Sequence, residues 1–410
     1  MCATDLTVRE LVPMYGSAAR SLVRAWSDSG DLEVRSGRIV VPPNEPCVHY
    51  QTRFYGEVFR TREEEGVIVS QSQWLWRPRP FPNDTEVRLA LTLPPGTRAS
   101  FPFEHGDGSS TIPRDAFYRD GHTVFGNFEE SQFTVGNTTA AVALLGPSPD
   151  EATVRRWLSQ AIRTAGSVGN RGLPVERVQF VVAPVEGTGR PVAFGMVRRG
   201  GGPSVLLLPS SAAPVEALER DWVAVHELSH LWLPRLYDKD RWLSEGIATY
   251  LQELLRARCG LQTAEESWKR LHDGMSRGRR SGTGRVLDRE SREMGRTGAY
   301  HRVYWSGAAF ALEADLRLRQ ASGGSMTLPR ALNLAREKRG EVSSLVKGAD
   351  FLAELDAAAG TDFLAPLGDR YASLTDFPKT PMMNDPALEE LRDDVMRVDV
   401  RCSTSDASSR

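Results

Sequence analysis

A pair of histidines four residues apart, with a glutamate directly after the first, constrains this chain more than any other feature of its 410 residues. The stretch reads Val225-His226-Glu227-Leu228-Ser229-His230. On a helix, that spacing puts His226 and His230 one turn apart on one face, so both imidazoles can reach a single metal ion while Glu227 points beside them. The flanks predict the helix. Between Asp221 and Leu233 apolar residues fall at Trp222, Val223, Val225, Leu228, Leu231 and Trp232, and Pro234 forbids a simple continuation. Fourteen residues separate His230 from Glu245, which opens a second predicted helical stretch within WLSEGIATYLQELLRAR, where Leu, Ile and Tyr recur at helical spacing. With Glu245 as third ligand beside His226 and His230, the fourth zinc position stays open to water, as in catalytic rather than structural zinc sites.

At these residues the chain resembles the gluzincin zinc metallopeptidases, most closely the glycyl aminopeptidase family and the related alanyl aminopeptidase family. Their second motif, W-L-x-E-G-x-[AT]-x-Y, is matched from Trp242 to Tyr250, after a spacer shorter than the alanyl family's. Tyr304-Trp305-Ser306-Gly307, leading into AAFALEADLRLRQASGG, is similar to the families' Y-x-K-G segment, with serine in place of lysine. FLAELDAAAGTDFLAPLGDRY, at 351 to 371, is similar to the helix, glycine turn and helix that close the glycyl family's catalytic domain. Together the matches span residues 130 to 375 in the family's order.

The resemblance implies an α+β fold, with an N-terminal β-rich domain followed by a thermolysin-like (gluzincin) catalytic domain and a mostly helical C-terminal part. It implies one Zn2+ ion held by His226, His230 and Glu245, and hydrolysis of peptide bonds by a zinc-bound water. Glu227 is then the general base and Tyr304 the group that stabilises the oxyanion, with Tyr300 one helical turn earlier as the reserve. Gly195-Met196 would lie on an edge strand that holds extended substrate by main-chain pairing.

One departure bears on specificity. The alanyl family places a glutamate just after Gly-x-Met to grip the substrate's free amino terminus, whereas Val197-Arg198-Arg199 follows Met196 here. An ammonium group leaving water needs a carboxylate partner, which would have to be another acid such as Glu186 or Glu313. An aminopeptidase-like enzyme, an endopeptidase of the same fold, and a non-catalytic zinc-containing module that binds peptides all remain readings of the sequence.

Composition sets outer limits. A net charge of −2 gives no reason to expect nucleic acid as a partner, and no run of apolar residues is long enough to span a bilayer. The expected partner is a peptide or protein substrate, and the oligomeric state is left open. Cys2, Cys47, Cys259 and Cys402 form no C-x-x-C pair, which argues against a cysteine zinc site and decides nothing about disulfides. Cys2 reads as a surface cysteine. Alternatively, a leader ending at Cys2 has been removed and the protein is exported or lipid-anchored; the chain as given carries no export signal, and without such a leader it would be cytoplasmic.

Along the chain, a helical segment is predicted over 1–30, centred on Thr7 to Trp26. A β-rich domain over 31–146 follows, with strands at DLEVRSGRIVV, EVRLALTL, HTVFGNF and TVGNTTAAVALL. Trp74 to Pro82 reads as an aromatic strand end packed at a domain boundary. The zinc-binding domain is expected over 147–260, opening with a Ser148-Pro149-Asp150-Glu151 capping box and containing strands RVQFVVAPV, PVAFGMV and SVLLLP. A helical part over 261–375 completes the site, and 376–410 reads as a tail. The Arg- and Gly-rich stretch from Ser276 to Arg302 reads as a solvated insertion. His49, His105, His122, His272 and His301 have no partner at ligand spacing and read as surface or internally satisfied residues.

Overall fold

The computed structural model of the chain describes residues 1–3, 7–54, 66–104, 108–146, 149–169, 172–340, 344–379, 391–397 and 402, and the backbone of 59–60. Ser148 of the expected capping box and His105 lie outside the described residues. The chain divides into two compact units: residues 1–134, 139–152 and 177–214 form one, and residues 135–138, 153–176 and 215–410 form the other. The architecture is α+β, with β-rich structure in the N-terminal part and helices in the C-terminal part.

In the first unit the local signals act as expected where turn chemistry is strong. Strands Val34–Arg35 and Arg38–Val40 pair across Ser36-Gly37, both in the left-handed region at φ 50 and 72°, the geometry a two-residue hairpin turn demands. The predicted helix from Thr7 to Trp26 is corrected. Strand Glu10–Pro13 and strand Leu22–Ser27 flank a five-residue helix, Ser17–Ser21. Pro13 cannot donate to a helix ladder, and Tyr15 and Gly16 turn left-handed at φ 52 and 72°. Glu10–Pro13 instead pairs with both Trp76–Arg79 and Arg38–Val40, so tertiary pairing outweighs local pattern. Trp74 and Trp76 are both buried.

A five-stranded sheet completes this unit, in the order Glu129–Val135, Thr138–Leu144, Arg177–Val182, Ser204–Pro209, Val192–Arg198. Thr138–Leu144, Arg177–Val182 and Ser204–Pro209 run parallel, and their cores read as unbroken apolar runs because they are buried on both faces. Val192–Arg198 lies antiparallel at the edge, with Gly195 opposite Leu207 and Met196 opposite Leu206.

The second unit is built on two long helices that cross at close range. The glutamate helix, Arg241–Arg258, carries Glu245; the tyrosine helix, Tyr300–Ser322, carries Tyr304. Gly246 and Gly307 face each other at the crossing. A Cβ on Gly307 would lie 1.9 Å from the Trp242 carbonyl oxygen, and one on Gly246 would lie 2.2 Å from the Gly307 backbone. Glycine at both positions therefore lets Glu245 and Tyr304 approach, each within three residues of the contact. Overpacking a core contact costs about 1–3 kcal/mol, so Gly307→Ala is expected to lose at least that much stability, read as a lower denaturant midpoint. An unchanged midpoint would mean the crossing parts without cost.

A further expectation is corrected here. The supposed insertion contains a helix, Leu287–Thr297, whose Leu287, Glu290, Ser291 and Met294 are all buried. Those positions follow the i, i+3, i+4, i+7 stripe of one helix face, hidden in the sequence by intervening Arg and Glu. Ser291 accepts a hydrogen bond from the Trp242 N–H at 2.9 Å and donates to the Asp238 carbonyl, so the helix holds the start of the glutamate helix. The tail, expected to be partly ordered, is packed where it is described. Val395 and Met396 are buried, Arg258 donates to the Val395 carbonyl, and Cys402 is disulfide-bonded to Cys259. Cys2 is bonded to Cys47 and so is not a free surface thiol.

Candidate active site

The predicted metal ligands converge. His226 and His230 come from helix Val223–Ser229 and the turn of 3-10 helix that follows it, and both are buried, as is Glu227. Glu245 is supplied from the second turn of the glutamate helix. One ligand atom from each of His226, His230 and Glu245 lies within 4.8 Å of the others, the one such group of three His, Cys, Asp or Glu found among the described residues. His226 Nε2 is 3.3 Å and His230 Nε2 3.4 Å from the same Glu245 Oε2. Two donors each about 2.05 Å from a tetrahedral centre stand about 3.3–3.4 Å apart. The donor set, two imidazole nitrogens and a carboxylate oxygen, thus fits a zinc ion in both chemistry and spacing.

The surrounding side chains fix which ring nitrogen would face a metal. His226 Nδ1 is 2.8 Å from Gln252 Oε1, an acceptor, so Nδ1 carries a proton, and Nε2 is the nitrogen that would give up its proton to bind a metal. The Gln252 amide in turn donates to buried Glu253, which also accepts from Gln262. Ser244 Oγ lies 3.2 Å from His230 Nδ1. Sequence reading missed Gln252 and Ser244. Gln252 had a signal: it stands two helical turns after Glu245, a polar residue on the buried face of an apolar helix.

Charge is balanced within the cluster. Burial raises the Glu245 pKa, but the charge of His230 and hydrogen bonds from both imidazoles outweigh it and hold the carboxyl well below its ordinary range. Burial lowers the His226 pKa, and Glu245 and Glu227 reverse that and raise it. Tyr304 lies alongside, its ring parallel to that of His226 with centroids 6.1 Å apart. Burial, then the carboxylate of Glu245, pushes its phenol well above the ordinary value, and the hydroxyl hydrogen-bonds to Glu245. It is therefore a protonated donor at neutral pH. Tyr300 packs edge-on against Tyr304 at 6.5 Å and is about half exposed.

Of the acids considered as partners for a substrate amine, Glu313 is committed elsewhere: it is buried and accepts from Arg317, Arg370 and the Tyr371 hydroxyl. Glu186 is exposed in the turn after Arg177–Val182. Gly195 and Met196 stand on the edge strand of the first unit.

No protein-family model matches the chain, and no curated protein does. Solved structures do match, and the fold they share with this chain is that of the M1 zinc aminopeptidases. An aminopeptidase N family protein from Idiomarina loihiensis is 18% identical with a TM-score of 0.71, covering 93% of this chain and 73% of its own. An M1 zinc metallopeptidase from Deinococcus radiodurans is 17% identical with a TM-score of 0.54, covering 91% of this chain and 87% of its own. A mutant M1 zinc metallopeptidase from the same organism, solved with a Tyr-Ser-Ala substrate, matches at a TM-score of 0.53 and 17% identity.

Proposed function

We propose that this protein is a zinc-dependent metallopeptidase of the aminopeptidase-like type, hydrolysing peptide bonds in peptide or protein substrates. The observation that carries the reading is the spacing of the His226, His230 and Glu245 donor atoms, which suits one zinc ion. The structures matched in fold are zinc metallopeptidases, one of them solved with a tripeptide substrate. Zinc held by these three residues would supply a Lewis acid and a water acidified towards pKa about 7. Glu227, beside that position, would take the water's proton as it attacks the carbonyl carbon and pass it to the leaving nitrogen. The Tyr304 hydroxyl, kept protonated, would donate to the oxygen that gains negative charge. Tyr304→Phe is expected to lower kcat by about 10²-fold, the cost of removing one oxyanion donor, with zinc content unchanged. An unaffected kcat would move the role to another residue.

A second reading, an endopeptidase, is favoured by one observation. Val197 stands where a gripping acid would be needed, and Glu313 is held by Arg317, Arg370 and Tyr371. Paired peptides, one with a free amino terminus and one acetylated, separate the readings when digested by zinc-loaded protein with a chelated control. Cleavage of the free-amine peptide alone supports an aminopeptidase, and cleavage of both supports an endopeptidase. Zinc retained with neither peptide cleaved overturns the enzyme reading in favour of a peptide-binding module.

The two disulfides, with all four cysteines paired, support an oxidising compartment as the protein's place of work. Unfolded without reductant, protein recovered from its source should show no free thiol. Four reactive thiols would refute this.

A further inference from the structure

Among the described residues, the edge strand Val192–Arg198 has one strand neighbour, Ser204–Pro209. A strand paired on one side only can shift or peel unless something else fixes it, and main-chain recognition of a peptide depends on where its N–H and C=O groups point. The far end of this strand is pinned to the β-rich part of its own unit. Gly200 N–H donates to the Asp120 carbonyl at 2.9 Å. A Cβ on Gly200 would lie 2.2 Å from the Arg119 carbonyl oxygen, so the two backbones touch. Arg198 donates to the Ser70 hydroxyl and stands 3.8 Å from the Asp120 carboxylate.

Beneath the strand lies His122. Its Nε2 is 3.3 Å from the Met196 carbonyl oxygen, which can only accept, so Nε2 carries the proton. Burial, then the charge of Arg198, brings the His122 pKa down to about 3, and the ring is a neutral donor across the physiological range. The backbone that carries the ring is itself held: the His122 main-chain N–H donates to Ser204 Oγ, Ser204 Oγ donates to Gln179 Oε1, and Gln179 Nε2 donates to Ser100 Oγ, all of them buried. This chain of hydrogen bonds ties strands of two sheets to the residue that meets Met196. A polar network so deeply buried is costly unless it is complete and then specifies one arrangement.

We infer that His122 is a positioning residue for substrate, setting the direction of the Met196 backbone on which an extended peptide would pair. This rests on the peptidase reading and on the role of Gly195-Met196 within it. The effect expected of His122 is on binding.

The test compares zinc-loaded wild type, His122→Leu and His122→Gln on a peptide that the wild type cleaves, with zinc content measured for each. The leucine variant is expected to raise KM about tenfold with kcat and zinc nearly unchanged, the signature of lost uniform binding. Glutamine, which keeps a donor at similar reach, should restore most of the KM. Amide hydrogen exchange over 193–198 should be faster in the leucine variant than in the other two. KM unmoved in folded His122→Leu, or kcat and zinc falling together, overturns this inference alone. Wild type that holds zinc and cleaves no peptide overturns the peptidase reading, and this inference with it. His122→Asn, whose amide stops short of Met196, gives the same comparison if the leucine variant does not fold.

Discussion

Glu227→Gln is expected to keep its zinc and lose turnover by about 10²–10⁴-fold, the range a positioned general base contributes. Glutamine has the size and shape of glutamate and carries no basic oxygen at neutral pH. Glu227 is absent from the trio of donor atoms at metal spacing, so the ligand set stays whole. Its carboxylate contributes to the raised pKa values of both His226 and Tyr304, so its charge is felt at both side chains. The measurement is kcat on a cleavable peptide alongside zinc per chain. Hydrolysis surviving at the wild-type rate in a zinc-loaded variant would strip Glu227 of the base role, and loss of zinc would make it a ligand.

Glu245→Ala should fail to hold stoichiometric zinc. Removing an outer partner of a ligand costs about 10–100-fold in metal affinity, and removing a ligand outright should cost more. The two imidazoles left behind cannot enclose an ion, since Glu245 Oε2 is the atom that lies within 3.4 Å of both ring nitrogens. Apo protein should also change. Glu245 and Glu227 together lift the His226 pKa against its burial, so the variant's buried imidazoles lose one of their two counter-charges. Equilibrium dialysis against buffered zinc decides the matter. Zinc bound one to one with wild-type affinity would remove Glu245 from the ligand set.

The site was legible in proportion to how local its geometry is. His226, Glu227 and His230 lie within five residues of each other, and helical periodicity alone places the histidines together. Glu245 required a second helix to return, and the Trp242 to Tyr250 string announced it. Gln252 was visible only as an odd polar residue on an apolar face, because its role depends on where His226 lies across the helix pair. The helix Leu287–Thr297 was missed because charged residues between its four buried positions raise the average polarity that marks a loop. In the N-terminal part, Pro13 and the left-handed turn at Tyr15-Gly16 overrode a pattern that read as helical, and pairing with Trp76–Arg79 decided the outcome.

By itself the sequence determined what short-range chemistry can specify: a helical His-Glu-x-x-His pair, a carboxylate on a following helix, and apolar strands such as RVQFVVAPV. Tertiary structure alone decided the rest. It brought Gly246 against Gly307 so that two helices could touch, paired four cysteines whose spacing said nothing, spent Glu313 on two arginines and a tyrosine, and set a buried His122 against the Met196 carbonyl. These contacts join residues from 45 to 143 positions apart in the disulfides and 74 apart at His122. No periodicity of 2 or 3.6 residues reaches that far, and which partners meet is settled by the packing of whole elements.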